Sequence, residues 1–90
     1  MAWTIFYAPG NPRRIGCVGP STTKKTAEEI RNHPKRKLFA MYEDGEELPD
    51  FIGFNVGSDP FAPLDDLGTP DTGCTRIEYL NEETCKWETI

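Results

Sequence analysis

Four groups of side chains in this 90-residue chain are of types that could do chemistry. Asp71-Thr72-Gly73 places a carboxylate in a small turn, the arrangement that activates water when a second carboxylate shares its proton. Asp59, Asp65, Asp66 and Asp71 could offer oxygens to a hard cation such as calcium, which takes roughly six to eight of them. Cys17 and His33, the only histidine, have the types of a nucleophile and its base. Arg31-Asn32-His33-Pro34-Lys35-Arg36-Lys37, with Arg13 and Arg14, could meet phosphates if folding gathers them on one face.

The surroundings weaken each catalytic reading. Gly68-Thr69-Pro70, not an apolar strand, precedes Asp71, so the tripeptide reads as a turn. The aspartate spacing fits no calcium loop with alternating ligands, which leaves a solvated acidic loop. His33 stands beside Pro34 among Arg and Lys, where it reads as a charge complementing a helix C-terminus. Three cysteines and one histidine make no four-ligand zinc set at these spacings. Gly16-Cys17-Val18-Gly19 lacks the Lys-Ser/Thr that follows a phosphate-cradling loop. The expectation is a non-enzymatic protein with no catalytic residue, cofactor or metal.

Charge is more informative. The formal net charge of −5 conceals a division: residues 1 to 40 carry eight basic and two acidic side chains, and residues 41 to 90 carry two basic and 13 acidic ones. Such asymmetry bears on partners and solubility more than on fold. The pI near 4.8 disfavours a nucleic-acid domain as the first reading.

The longest apolar stretches, such as Leu38-Phe39-Ala40-Met41-Tyr42, fall far short of the roughly 18 to 20 residues of a membrane span. Met1 to Tyr7 has neither the basic start nor the apolar length of a secretory signal. An odd set of cysteines, Cys17, Cys74 and Cys85, without a Cys-x-x-Cys pair suits a reducing compartment, so the cytoplasm is expected.

The elements that must position these groups fit one domain spanning residues 1–90. A chain of this size buries only about 60% of its unfolded surface, so its margin of stability is small. Trp3 to Ala8 reads as a strand, apolar on both faces, and Pro9-Gly10-Asn11-Pro12 ends it. A short extended return follows over Arg14 to Val18. The Ser21-Thr22-Thr23 cluster opens a helix from about Thr23 to Asn32, with Ala27 and Ile30 on its apolar side and Pro34 beyond its end. Lys37 to Glu43 is a second strand, Asp44-Gly45 a turn, and Phe51 to Val56 a further strand weakened by Gly53. Residues 57–74 read as a long Gly/Pro/Asp-rich loop, in which Phe61, Leu64 and Leu67 could pin one helical turn. The end reads as a hairpin of Thr75–Leu80 and Thr84–Ile90, with Ile77 and Tyr79 facing Cys85 and Trp87, and Lys86 opposite Glu78.

The predicted fold is α+β: a small antiparallel or mixed sheet of four or five strands, with a single α-helix packed on one face. Its expected core is Trp3, Ile5, Tyr7, Ile30, Leu38, Ala40, Ile77, Tyr79 and Trp87. The expected function is a protein-binding module, an inhibitor or adaptor, whose partner has a basic surface. The carboxylates of Glu43, Asp44, Glu46, Glu47, Asp50, Asp59, Asp65 and Asp66 would stand in for a phosphate backbone in that partner's groove. In size and charge, though in no motif, the chain resembles small acidic phage-encoded inhibitors such as anti-CRISPR proteins, which would place it in the host cytoplasm. The alternative is a nucleic-acid-associated accessory protein using Arg31–Lys37.

Overall fold

The dense β-branched and aromatic residues of Trp3–Tyr7 form the first strand, β1, in a computed structural model that describes residues 2–90. The proline-rich segment after it folds into a 3-10 turn, Pro12–Arg14, and returns through a two-residue strand, β2 (Val18–Gly19). Helix α1 (Ala27–Arg31) follows, then β3 (Lys37–Glu43), β4 (Phe51–Asn55), a helical run over 62–72, β5 (Cys74–Asn81) and β6 (Lys86–Thr89). The strands make one six-stranded sheet in the order β2-β1-β4-β3-β5-β6, and every neighbouring pair is antiparallel. The sheet therefore has one or two strands more than the sequence predicts, and it is antiparallel throughout.

Register sorts the side chains into two faces, because residues opposite each other in an antiparallel pair point the same way. Trp3 and Ile5 lie opposite Asn55 and Gly53, Phe39 and Met41 opposite Gly53 and Phe51, and again Phe39 and Met41 opposite Tyr79 and Ile77. On this first face Ile5, Phe39, Met41, Phe51 and Ile77 are buried, and they form one cluster with Leu64, Leu67 and Cys74. The second face carries Thr4, Leu38, Ala40, Tyr42, Ile52 and Phe54. Helix α1 covers part of it with Ile30, which is fully buried yet outside the cluster of the first face.

The helical run is the main departure from expectation. The segment read as a loop contains a π-helical stretch, Leu64–Gly68, continued by a short α-helix, α2 (Thr69–Thr72). Leu64 and Leu67 do face the core, as their spacing suggests, but they belong to a lid on the first face. Polar bonds hold it along its length. Just before it the buried Asn55 side chain donates to the Tyr79 hydroxyl and to the Asp59 carbonyl, both at 3.0 Å, and Tyr79 donates to the Pro60 carbonyl at 2.7 Å. In the middle Trp3 Nε1 donates to Asp66 at 3.0 Å, and near the end Asp71 receives Asn11 Nδ2 and Arg14 Nη2, each at 2.9 Å.

Other expectations need correction. Helix α1 is shorter than Thr23–Asn32: Thr26 caps it, in a reciprocal capping box with Glu29. Of the expected core, Trp3, Ile5, Ile30, Ala40 and Ile77 are buried, but Tyr7 and Trp87 are about two-fifths exposed. Phe39, Met41 and Phe51 take the centre instead, because the helical run lies on their side of the sheet. In the last hairpin Leu80, not Tyr79, lies opposite Trp87, and Lys86 lies opposite Asn81 rather than Glu78. The turn is longer than expected: Asn81 Oδ1 accepts from the N–H groups of Glu83 and Thr84, and Cys85 adopts a left-handed φ of 58°. A slip of one residue moves every side chain of a strand to the other face.

Gly53 weakens β4 only in isolation. It sits at the sheet centre between Ile5 and Phe39, and a Cβ there would collide with the Thr4 carbonyl and approach the Phe39 ring to 2.9 Å. Gly53→Ala is therefore expected to destabilise the fold by about 1–3 kcal/mol, the range of overpacked core positions. Gly10→Ala, where a Cβ meets nothing within 4 Å, should change little. Thermal unfolding of the two variants checks this.

Candidate functional site

The acidic residues 43–50 lie at the end of β3 and on the loop that joins it to β4. Asp44-Gly45 makes the expected turn, with Gly45 at φ 77°. The Glu46 N–H donates to the Glu43 carbonyl at 3.1 Å, and the Asp50 N–H donates to the Met41 carbonyl at 2.9 Å, so both ends of the loop are fixed. Fixing the ends brings Glu43 and Asp50 together. A hydrogen bond between their carboxyl groups, reinforced by the negative charge of Asp50, lifts Glu43 above the usual carboxylate range. Glu46 adds to the same field. Asp44, Glu46 and Glu47 are exposed, and at the tip between them and Pro49 stands Leu48, 78% exposed.

Arg76 ties this loop to the second face of the sheet. Its guanidinium lies over the Tyr42 ring at 4.2 Å and donates from Nη2 to the Glu46 carbonyl at 3.3 Å. Its Nε is 3.0 Å from a Glu78 carboxylate oxygen but poorly aligned for a hydrogen bond, so that contact is mainly an ion pair. From Tyr42 the half-buried surface continues through Leu38, Ile52, Phe54 and Phe6, with the rings of Phe6 and Phe54 5.2 Å apart. The exposed side chain of Trp87 lies on the same face, opposite Leu80.

The remaining expected site residues do not join the loop. Asp59 sits beyond Asn55, at the opposite end of β4, and its carboxylate caps the Phe61 N–H at 2.9 Å. Asp66 is the acceptor of the Trp3 indole, and Asp65 is an exposed residue of the π-helical stretch. The eight carboxylates of the sequence reading thus separate, and only Glu43, Asp44, Glu46, Glu47 and Asp50 share a surface. What sequence reasoning missed is Leu48 and Arg76. An apolar residue between Glu47 and Pro49 was a visible signal for the first; the second depended on register.

The other chemical candidates hold the fold together. Arg14 beside Asp71 keeps that carboxyl below the usual range, with Asn11 assisting and burial opposing. Its lowered pKa means that Asp71 stabilises the fold above the ordinary carboxylate range, and that the contribution is lost as pH falls through the lowered value. His33 Nδ1 accepts from the Lys35 N–H at 3.0 Å, while the Cys17 carbonyl accepts from the Thr4 hydroxyl at 2.8 Å between β1 and β2. Burial pushes the Cys17 thiol up, and lifts the fully buried Cys74 thiol to about 11, where the thiolate nucleophile is scarce at neutral pH. Among the described residues no group of three or more His, Cys, Asp and Glu side chains is placed to hold a metal ion.

The basic residues are dispersed too. Lys35, Arg36 and Lys37 line a groove together with Glu82 and Glu83, whereas Arg13 and Arg14 line a different cavity with Asn11 and Asp71. Arg36 lies 5.4 Å over the Phe54 ring and donates to the His33 carbonyl at 3.0 Å. Comparison with protein-family models, curated proteins and solved structures gives no match.

Glu43 carries a measurable signature of the loop. Asp50→Asn removes the facing negative charge, so the Glu43 titration midpoint, followed by carboxyl-carbon NMR, should move down toward the ordinary range. The raised pKa favours the folded state below that range and ceases to do so as pH rises through it. Asp50→Asn should accordingly leave the fold at least as stable at neutral pH.

Proposed function

We propose that the protein is a non-enzymatic protein-binding module, an inhibitor or adaptor, that docks the 43–50 loop onto a basic surface of its partner. The observation that carries this reading is Leu48, 78% exposed within a loop bearing Glu43, Asp44, Glu46, Glu47 and Asp50. Among the described residues none of those five carboxylates has a basic side chain within ion-pairing distance; the two ion pairs are Arg14–Asp71 and Arg76–Glu78. An apolar anchor inside a charged rim is the common anatomy of a protein interface, with burial supplying affinity and charge supplying steering and register. A cationic partner would also relieve the repulsion between Glu43 and Asp50, a gain found only in the complex. The half-buried sheet face beyond Arg76 extends the same surface with aromatic side chains, which are enriched in interface cores.

Free thiols at Cys17, Cys74 and Cys85 are in keeping with action in a reducing compartment such as the cytoplasm. No helix among the described residues is long and apolar enough to cross a membrane. The nucleic-acid reading of Arg31–Lys37 draws less support, because Glu82 and Glu83 line the same groove and Arg36 is committed to Phe54 and His33.

The test is capture by the tagged protein with a matched variant, Glu46→Lys with Glu47→Lys. A partner with a basic surface should be retained at low salt and released near 1 M, where the screening length falls to about 3 Å. The double reversal should weaken its binding at least about tenfold, and Leu48→Ser should weaken it without changing the salt dependence. An unchanged set of retained proteins in the folded double variant would rule the loop out.

A further inference from the structure

The open edge at β6 points to self-association, a property beyond the proposed function and on a different part of the sheet. β6 is the last strand of the order, and all four of its residues are exposed. The Ile90 N–H donates to the Ile77 carbonyl at 3.4 Å, and antiparallel ladders alternate, so Lys86 and Glu88 also turn their backbone groups toward β5. Trp87 and Thr89 therefore present N–H and C=O groups to the open side. Unpaired edges of this kind are templates for another strand.

We propose that two copies of the chain pair antiparallel through β6, about a two-fold axis at Trp87, and join their sheets into one of twelve strands, twice the six of each copy. Charge selects both the occupant and the register. With Trp87 opposite Trp87 of the second copy, each Lys86 faces a Glu88, and these form the closer, non-hydrogen-bonded pairs of the ladder. A slip that sets Glu88 opposite Glu88 opposes like charges. The sequence Lys-Trp-Glu is thus complementary to its own reverse. A lone edge Lys deters pairing, but here Glu88 two residues on provides its counter-charge.

The groups involved are available. The Lys86 side chain makes no hydrogen bond or ion pair among the described residues, and the Glu88 carboxylate is approached only by Asn81 Nδ2, at 3.5 Å from each oxygen. Trp87, 41% exposed beside Leu80, would stack on its counterpart. The opposite edge cannot compete: β2 is two residues long and Pro20, which has no N–H, follows it. Pairing is therefore isologous and closes at two copies rather than propagating. A four-residue contact is small, so the dimer is reversible and depends on concentration.

Sedimentation equilibrium across about 10 µM to 1 mM protein tests the proposal, in a range where weak dimers dissociate. The wild-type chain should pass from monomer to dimer. Lys86→Glu and Glu88→Lys should each weaken the dimer by about tenfold or more, since either change sets like charges opposite at both pairs. Mixing the two single variants, or combining both changes in one chain, should restore it; a misfolded variant could not be rescued this way. A monomer at every concentration, single variants that dimerise as tightly as wild type, or growth beyond two copies would overturn it.

Discussion

The structure depends on the cover over Phe39. This ring is fully buried at the middle of the sheet, over Gly53 on one side and against Tyr79 on the other, with ring centroids 5.9 Å apart. A sheet face as apolar as this one must be buried against something, and the chain has a single segment available for it, the helical run over 62–72. That segment has three prolines or glycines and five threonines or aspartates, so local propensity alone would not make it a helix. Tertiary contacts do. Leu64 and Leu67 supply the apolar contact, Trp3 and Arg14 bond to Asp66 and Asp71 within the run, and Asn55 holds the Asp59 carbonyl just before it.

This explains which parts of the fold were legible in the sequence. β1, β3 and β4 announce themselves by residue type, and Asp44-Gly45 marks its turn. The position of α1 followed from Pro34, although its start did not, because Ser21, Thr22, Thr23 and Thr26 are all competent caps and only Thr26 has a glutamate three residues on. The dominant face of β3 was not legible: Leu38-Ala40-Tyr42 and Phe39-Met41 are equally apolar. The choice between them was made by a lid that composition disguises as a loop. The final register failed on Asn81, whose side chain takes over two turn N–H groups and lengthens the connection.

The candidate site shows the same division. Charge counting found the acidic half of the chain, and the 43–50 loop lies within it. Counting could not show that Asp66 and Asp71 are engaged with Trp3 and Arg14, because those partners lie more than fifty residues away. Nor could it show that Arg76 would reach back to Glu46 across the β3–β5 pair. The two halves of opposite charge neither merge nor separate cleanly: a few residues of each serve as fasteners, and Asp44, Glu46 and Glu47 are left exposed.

The Trp3–Asp66 bond closes a loop of 63 residues. β1 lies between β2 and β4, so most of its pairing waits for a strand made nearly fifty residues later. During synthesis the first half of the chain can build the β1–β2 return and α1, but it cannot bury Ile5 and Phe39 until the lid has emerged. Contacts of such long separation slow folding and keep apolar surface exposed meanwhile. Topology thus ties burial of the core to the arrival of the helical run, and until Asp71 has been made Arg14 is without its counter-charge.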